Sequence, residues 1–184
     1  MKIARFMERL KNKFVLTIET GENRMTTMRV FIDDELTKEE EVYPAGNWDE
    51  IPDNVREKIF QKHGDMLVDY GWWESVYDDA ESIGLKIKYF DIDGGRISGY
   101  LMYDAFITKK LILANHGKSC GTYQTVKRYD LRRKDFSESE FEHELLQDYL
   151  KILRKEYEHL TSEEAIVEMF QANEYIFDKW GNIV

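Results

Sequence analysis

At 184 residues, with 42% apolar side chains, 4 Trp, 11 Tyr and 10 Phe but only 2 Pro, the chain can bury a core and is neither a disordered tail nor a proline-rich linker. Its longest apolar runs, such as Leu111-Ile112-Leu113-Ala114, fall far short of the roughly 20 residues that a membrane-spanning helix needs. A net charge of −10 excludes the surface as a whole as a platform for duplex DNA, because a negative field repels phosphates.

Taken in chain order, Ile3, Phe6, Met7 and Leu10 recur at helical spacing and predict a short amphipathic helix. Phe14-Val15-Leu16-Thr17-Ile18 alternates and is β-branched, Gly21-Glu22-Asn23 supplies a turn, and Met25 to Ile32 reads as a second strand. Residues 13–32 are therefore expected to form a hairpin. Asp33 to Glu41 is too acidic and too poorly patterned for a core and predicts an exposed loop. Pro52 and Asp53 then open a helix to about His63, which Gly64 ends. Beyond Asp69, the residues Trp72, Trp73, Val76, Tyr77, Ala80 and Ile83 fall on one side of a 3.6-residue period, and Gly84 suits the position just past that helix. Leu85, Ile87 and Tyr89 alternate with Lys86 and Lys88, the pattern of a strand with one wet face. Asp93-Gly94-Gly95 turns it into a partner strand from Arg96 to about Met102.

Residues 104–114 predict a helix with Ile107, Leu111 and Ala114 on one face, and Gly117 to Tyr123 reads as a loop or short strand. Ser137-Glu138-Ser139-Glu140 is a capping box, in which Ser and Glu reciprocally satisfy orphan backbone donors. It opens the strongest helix of the chain, running to about His159 with Phe141, Leu145, Tyr149, Ile152 and Leu153 as its apolar stripe. Thr161-Ser162-Glu163-Glu164 is a second box, starting a helix to about Asn173, and Tyr175 to Val184 reads as a terminal hairpin turning near Gly181. Internal repeats and linkers are absent from the sequence. The expectation is one α+β domain over residues 1–184, with antiparallel hairpins packed against several amphipathic helices.

No motif assembles a complete chemistry. Asp91-Ile92-Asp93-Gly94 resembles the nucleophile motif of haloacid-dehalogenase phosphatases, but the strand–helix alternation those enzymes build afterwards is missing, and turn chemistry alone explains Asp and Gly there. Arg154 and His159 match the spacing of helical ribonuclease toxins, and Arg56 with His63 matches it loosely. That family is all-helical, and the simpler reading puts Arg154 and His159 on the wet side of the long helix. His116 and Cys120 have a metal-like spacing, yet two ligands do not close a tetrahedral site. A Cys–His nucleophile needs contact and an orienting third group, which sequence cannot supply, and His63 and His143 are remote. Gly-rich phosphate cradles are absent. The expectation is no enzyme, no catalytic residue, no metal and no cofactor.

Charge is distributed in blocks. Residues 1–30 carry 7 basic and 3 acidic side chains, residues 31–84 carry 4 and 16, residues 85–136 carry 11 and 5, and residues 137–184 carry 4 and 12. Either the blocks meet and neutralise one another, or they present separate faces to a partner. Two candidate protein-interaction surfaces follow: the acidic run Asp33, Asp34, Glu35, Glu39, Glu40 and Glu41, and the pair Trp72-Trp73 with Asp78 and Asp79. Adjacent residues point about 100° apart on a helix, so one indole is expected inside and the other near the surface, where Trp is a common hot-spot residue. A nucleic-acid contact is the candidate role of Arg128, Arg132, Arg133 and Lys134, near Tyr123 and Tyr129, although these cations could equally pair with acidic side chains of the same chain.

Asp69-Tyr70-Gly71-Trp72-Trp73-Glu74-Ser75-Val76-Tyr77-Asp78-Asp79-Ala80, with Ile83 to Ile87 and Phe90-Asp91, resembles a segment of uncharacterised small acidic proteins of phages and other prokaryotic mobile elements. In general character the chain is similar to anti-CRISPR proteins that inhibit Cas9-type nucleases. The resemblance implies a binding protein directed at a nucleic-acid-handling enzyme such as an RNA-guided nuclease; a small nuclease or a toxin–antitoxin component is the alternative. A single cysteine, Cys120, cannot form an internal disulfide, and no apolar segment precedes the first charges, so a cytoplasmic location is expected.

Overall fold

The computed structural model describes residues 4–6, 14–20, 26–32, 35–131 and 137–184. In chain order the elements are β1 (Ala4–Phe6), β2 (Phe14–Thr20), β3 (Thr26–Ile32), β4 (Glu35–Pro44), α1 (Asp53–His63), α2 (Glu74–Ser82), β5 (Leu85–Asp91) and β6 (Arg96–Leu101). They continue with α3 (Ala105–Asn115), α4 (Gly121–Leu131), α5 (Glu138–Leu160), α6 (Glu163–Ala172) and β7 (Ile176–Asp178). The fold class is α+β with antiparallel sheets, as expected from the sequence. Two compact units divide the chain, one formed by Met1–Leu67 with Thr161–Val184 and the other by Val68–Leu160.

The first unit is a five-stranded antiparallel sheet in the order β1-β2-β3-β4-β7, with a core made by α1, α6 and the 3-10 turn Ala45–Glu50. The predicted hairpin is present, Phe14 lying opposite Ile32 and Thr20 opposite Thr26; its turn at Gly21-Glu22-Asn23 lies outside the described residues. Two expectations need correction. Residues 4–6 pair with β2 as a strand rather than a helix, because the edge of the β2–β3 ladder offers hydrogen bonds that a short isolated helix cannot match. The remainder of that predicted helix lies outside the described residues. Nor is Asp33 to Glu41 a loop: from Glu35 onward it is β4, paired with β3 on one side and β7 on the other. Cross-strand charge pairing explains why so acidic a strand holds. Arg29 on β3 binds Glu19 of β2 and Glu39 of β4, each at 2.8 Å, and within β4 itself Lys38 binds Glu40 at 2.8 Å. At its far end β4 buries Val42 and leads into Ala45 and Trp48, which pack with Val55 and Ile59 of α1 and Ile166 and Phe170 of α6. Phe177 of β7 closes this core, its ring centre 5.0 Å from that of Phe170.

In the second unit, α5 buries Phe141, Leu145, Leu146, Tyr149, Leu150 and Leu153 against α2, α4 and the β5–β6 hairpin. The capping box is formed as predicted: the Glu140 N–H donates to Ser137 Oγ at 3.2 Å, and the Ser137 N–H returns a bond to Glu140 at 2.7 Å. The second box is replaced by a simple serine cap: Ser162, not Thr161, accepts from the Ala165 N–H at 3.3 Å, and alanine at that third helical position has no carboxylate to return the bond. Ile152, expected in the α5 stripe, is exposed, and its place in the interior goes to Leu146 and Leu150. On α3 the buried side is Ala105, Thr108 and Ile112 rather than the face of Ile107. Gly121 to Tyr123, read as loop or strand, begins helix α4, whose Thr122, Thr125 and Val126 are buried; two threonines on the inner side disguise its apolar period. Gly84 takes a φ of +82°, and a Cβ there would lie 2.5 Å from the Tyr103 ring, so glycine is required on both counts.

The hairpin also departs from simple alternation. A register shift between Ile87 and Tyr89 inserts one extra residue into β5, turning Tyr89 outward and Phe90 inward. Phe90 then becomes the hub of an aromatic cluster with Trp72, Trp73 and Tyr77, at ring-centre separations of 5.6, 5.9 and 6.1 Å.

Candidate functional site

The β4–β7 junction of the first unit brings together Glu39, Glu40 and Glu41, three of the residues that the sequence singled out. Successive strand residues point to opposite faces, so Glu39 and Glu41 share a side with Tyr43, and Glu40 lies on the other. Asp33 and Asp34 lie outside the described residues. Val42 pairs with Asp178 of β7, and this junction forms a groove of about 260 Å³ lined by Glu39, Glu40, Glu41, Asp178, Lys179 and Trp180. Trp180 is 51% exposed, and the Lys179 ammonium stands 4.6 Å from its ring centre. Four carboxylates and one cation line the groove; Arg29 binds Glu39 and also Glu19 on β2, and Glu41 bonds the Tyr43 hydroxyl, which burial and that bond together hold above the usual phenol range. Asp178 has a structural duty at the rim. Burial opposes its ionisation, but donors from the Asn182 side chain (2.7 Å), the Asn182 N–H (2.9 Å) and the Trp180 N–H (2.8 Å) outweigh that effect and hold its carboxyl below the ordinary range.

A second constellation is internal to the other unit. Asp79 of α2 accepts a 2.7 Å bond from the Tyr149 hydroxyl of α5 and lies 3.4 Å from His116 Nε2, while His116 Nδ1 is 2.6 Å from Thr122 Oγ1. Burial, then the bond and charge of Asp79, push the Tyr149 hydroxyl far above the phenol range, with Cys120 and Asp148 adding to the effect. Tyr149 is therefore a fixed donor rather than an acid. Beside it, buried Asp148 accepts from Thr125 at 2.5 Å and from Lys151 at 3.2 Å, and Thr125 in turn accepts from Arg128 at 2.6 Å. Cys120 is exposed just ahead of α4. Among the described residues, no group of three or more His, Cys, Asp and Glu side chains is placed to hold a metal ion.

The structure thus separates the residues that sequence reading grouped. Asp78 and Asp79 are both exposed, but Asp79 is tied to Tyr149 by a hydrogen bond. Trp72 and Trp73 precede α2 instead of lying on it, and both are half-buried against Phe90, so the expected division into one inner indole and one near the surface gives way to two in similar settings. Arg128 lies on α4, 3.0 Å from Glu144 of α5; Arg132, Arg133 and Lys134 lie outside the described residues. Asp91 accepts the Gly94 N–H at 2.8 Å and binds Arg96, the turn chemistry expected of Asp-x-Asp-Gly. Arg154 bonds the Ile92 carbonyl at 3.4 Å. Sequence reading missed Asp148 and Trp180. An acid inside an apolar stripe, with a Thr-x-x-Thr pair on the preceding helix, was the available signal for the first; Trp180 had none. No family model matches this chain, and neither a curated protein nor a solved structure matches it.

Proposed function

We propose that this protein is a non-enzymatic, cytoplasmic binding protein that inhibits a nucleic-acid-handling enzyme in the manner of anti-CRISPR proteins, docking its acidic sheet face on a positively charged nucleic-acid channel. The observation that carries this reading is the groove at the β4–β7 junction, where Glu39, Glu40, Glu41 and Asp178 meet a half-exposed Trp180. A carboxylate row supplies complementarity to a basic channel and speeds encounter, and an exposed Trp supplies the buried anchor on which binding energy concentrates. RNA-guided nucleases of the Cas9 type hold their heteroduplex in such a channel, which makes them the partner class of choice.

The test is target-DNA cleavage by a panel of purified, guide-loaded Cas9-type nucleases with the full chain added. Inhibition of at least one, relieved roughly tenfold or more by Trp180→Ala, a change of hot-spot size, supports the reading. Undiminished cleavage across the panel, or inhibition indifferent to Trp180→Ala and to Glu41→Lys, overturns it.

A further inference from the structure

The β5–β6 hairpin carries a second surface, on the face turned away from the core. Its inner face is Leu85, Ile87, Phe90, Ile97 and Leu101, which join the core of their unit. Lys86, Lys88, Tyr89, Ser98 and Tyr100 make the outer face. Lys86 lies opposite Tyr100 and Tyr89 opposite Ser98, and the extra residue in β5 sets Lys88 and Tyr89 outward together. Without that bulge, Tyr89 would point into the core and only one ring would remain outside.

Two tyrosines therefore stand diagonally on an open sheet, Tyr89 at 52% and Tyr100 at 42% exposure, flanking the small Ser98. A cation accompanies each ring. The Lys88 ammonium stands over the Tyr100 ring, 4.7 Å from its centre, and Arg96 is within electrostatic reach of Tyr89. The acids on this face are committed: Glu81 binds Lys86, with Asp78 also near it, and Asp91 binds Arg96. Among the described residues, Lys88 has no carboxylate in ion-pair range. Exposed rings on a sheet, with a cation beside each, offer what an unpaired base and its phosphate need: a flat stacking partner and a charge at its edge. A duplex has no free base faces to offer, and an acidic peptide would use the lysines but not the rings.

We infer that the outer face of the β5–β6 hairpin binds single-stranded nucleic acid, with Tyr89 and Tyr100 stacking on two bases and Lys88, aided by Lys86 and Arg96, meeting phosphates. This surface is independent of the acidic groove, and either proposal can fail alone. The experiment is fluorescence anisotropy of labelled oligouridine and oligothymidine of about twelve nucleotides, with a duplex of the same length, titrated with the full chain at roughly 50 mM salt, where phosphate attraction is strong. Saturable binding of a single strand is expected, with tighter binding of oligouridine assigning RNA and of oligothymidine DNA. Tyr89→Ala and Tyr100→Ala should each raise Kd roughly 5- to 100-fold, whereas Tyr100→Phe, which keeps the ring, should stay within about twofold. Lys88→Gln should flatten the salt slope by roughly 0.7. The inference is overturned if neither single strand binds, if the duplex binds equally well, or if Lys88→Gln weakens binding while folded tyrosine variants bind like the parent.

Discussion

Asp148 illustrates how one residue can carry a disproportionate share of local stability. It is buried, carries a carboxylate, and is satisfied by Thr125 and Lys151. Removing it leaves the buried Thr125 hydroxyl with a lost acceptor and Arg128 with a loosened relay, so Asp148→Ala should lower the unfolding free energy by about 2 kcal/mol. Urea denaturation followed by circular dichroism measures this, and a change below roughly 0.5 kcal/mol, the range of ordinary surface substitutions, would count against the buried network. Acid sensitivity follows from three other carboxylates. Hydrogen bonds to Asp178, to Asp91 from the Gly94 N–H and Arg96, and to Glu140 from Ser137 all lower the folded-state pKa. A carboxyl whose folded pKa lies below its unfolded value contributes stability in full above the unfolded value and loses it as pH falls through the folded value. Stability should accordingly be flat near neutrality and decline below about pH 4, the ordinary carboxylate range. Asp178→Asn should shallow that decline; an unchanged slope would remove Asp178 from the explanation.

Among the elements, those with local signals were legible and those held by distant partners were not. The box at Ser137–Glu140 and the left-handed glycine at Gly84 are encoded within a few residues and appear where expected. Strand β4 was invisible because what stabilises it is Arg29, ten positions before Glu39 and reaching Glu19 as well, and no window of residues 33–41 contains that information. The outward Tyr89 was missed for a related reason: Leu85, Ile87 and Tyr89 follow strict alternation, and only pairing with Ser98 reveals the bulge. Of the candidate site, Glu39, Glu40 and Glu41 were found from charge alone, while Trp180 enters through the β4–β7 pairing, more than a hundred residues apart in sequence. Two tests belong at this scale. Ser137→Ala should weaken α5 by about 1 kcal/mol through loss of its cap, seen as a lower urea midpoint with an unchanged slope. Arg29→Ala should affect β4 selectively, accelerating amide hydrogen exchange along Glu39–Val42 while leaving α5 protection intact; uniform protection across both would show that the charge ladder does not hold the strand.

At the scale of the whole molecule, acidic side chains exceed basic ones by ten, yet the two signs are concentrated on different elements. Carboxylates cluster along β4 and the β7 rim, and cations beside exposed aromatic rings mark the β5–β6 hairpin. Among the described residues no helix is long and apolar enough to cross a membrane. Part of the acidic field is neutralised internally through Arg29 and Lys38, so the proposed docking rests on the surplus around Glu41 and Trp180. Its most direct test is the association rate with a guide-loaded Cas9-type nuclease that the protein inhibits, measured by surface plasmon resonance for the parent chain and for Glu39→Lys with Glu41→Lys. The account predicts a rate at least tenfold slower for the reversed pair near 0.01 M salt, with the difference shrinking as the Debye length falls from about 30 Å there to about 3 Å at 1 M. Equal association rates for the two proteins at low salt would contradict it.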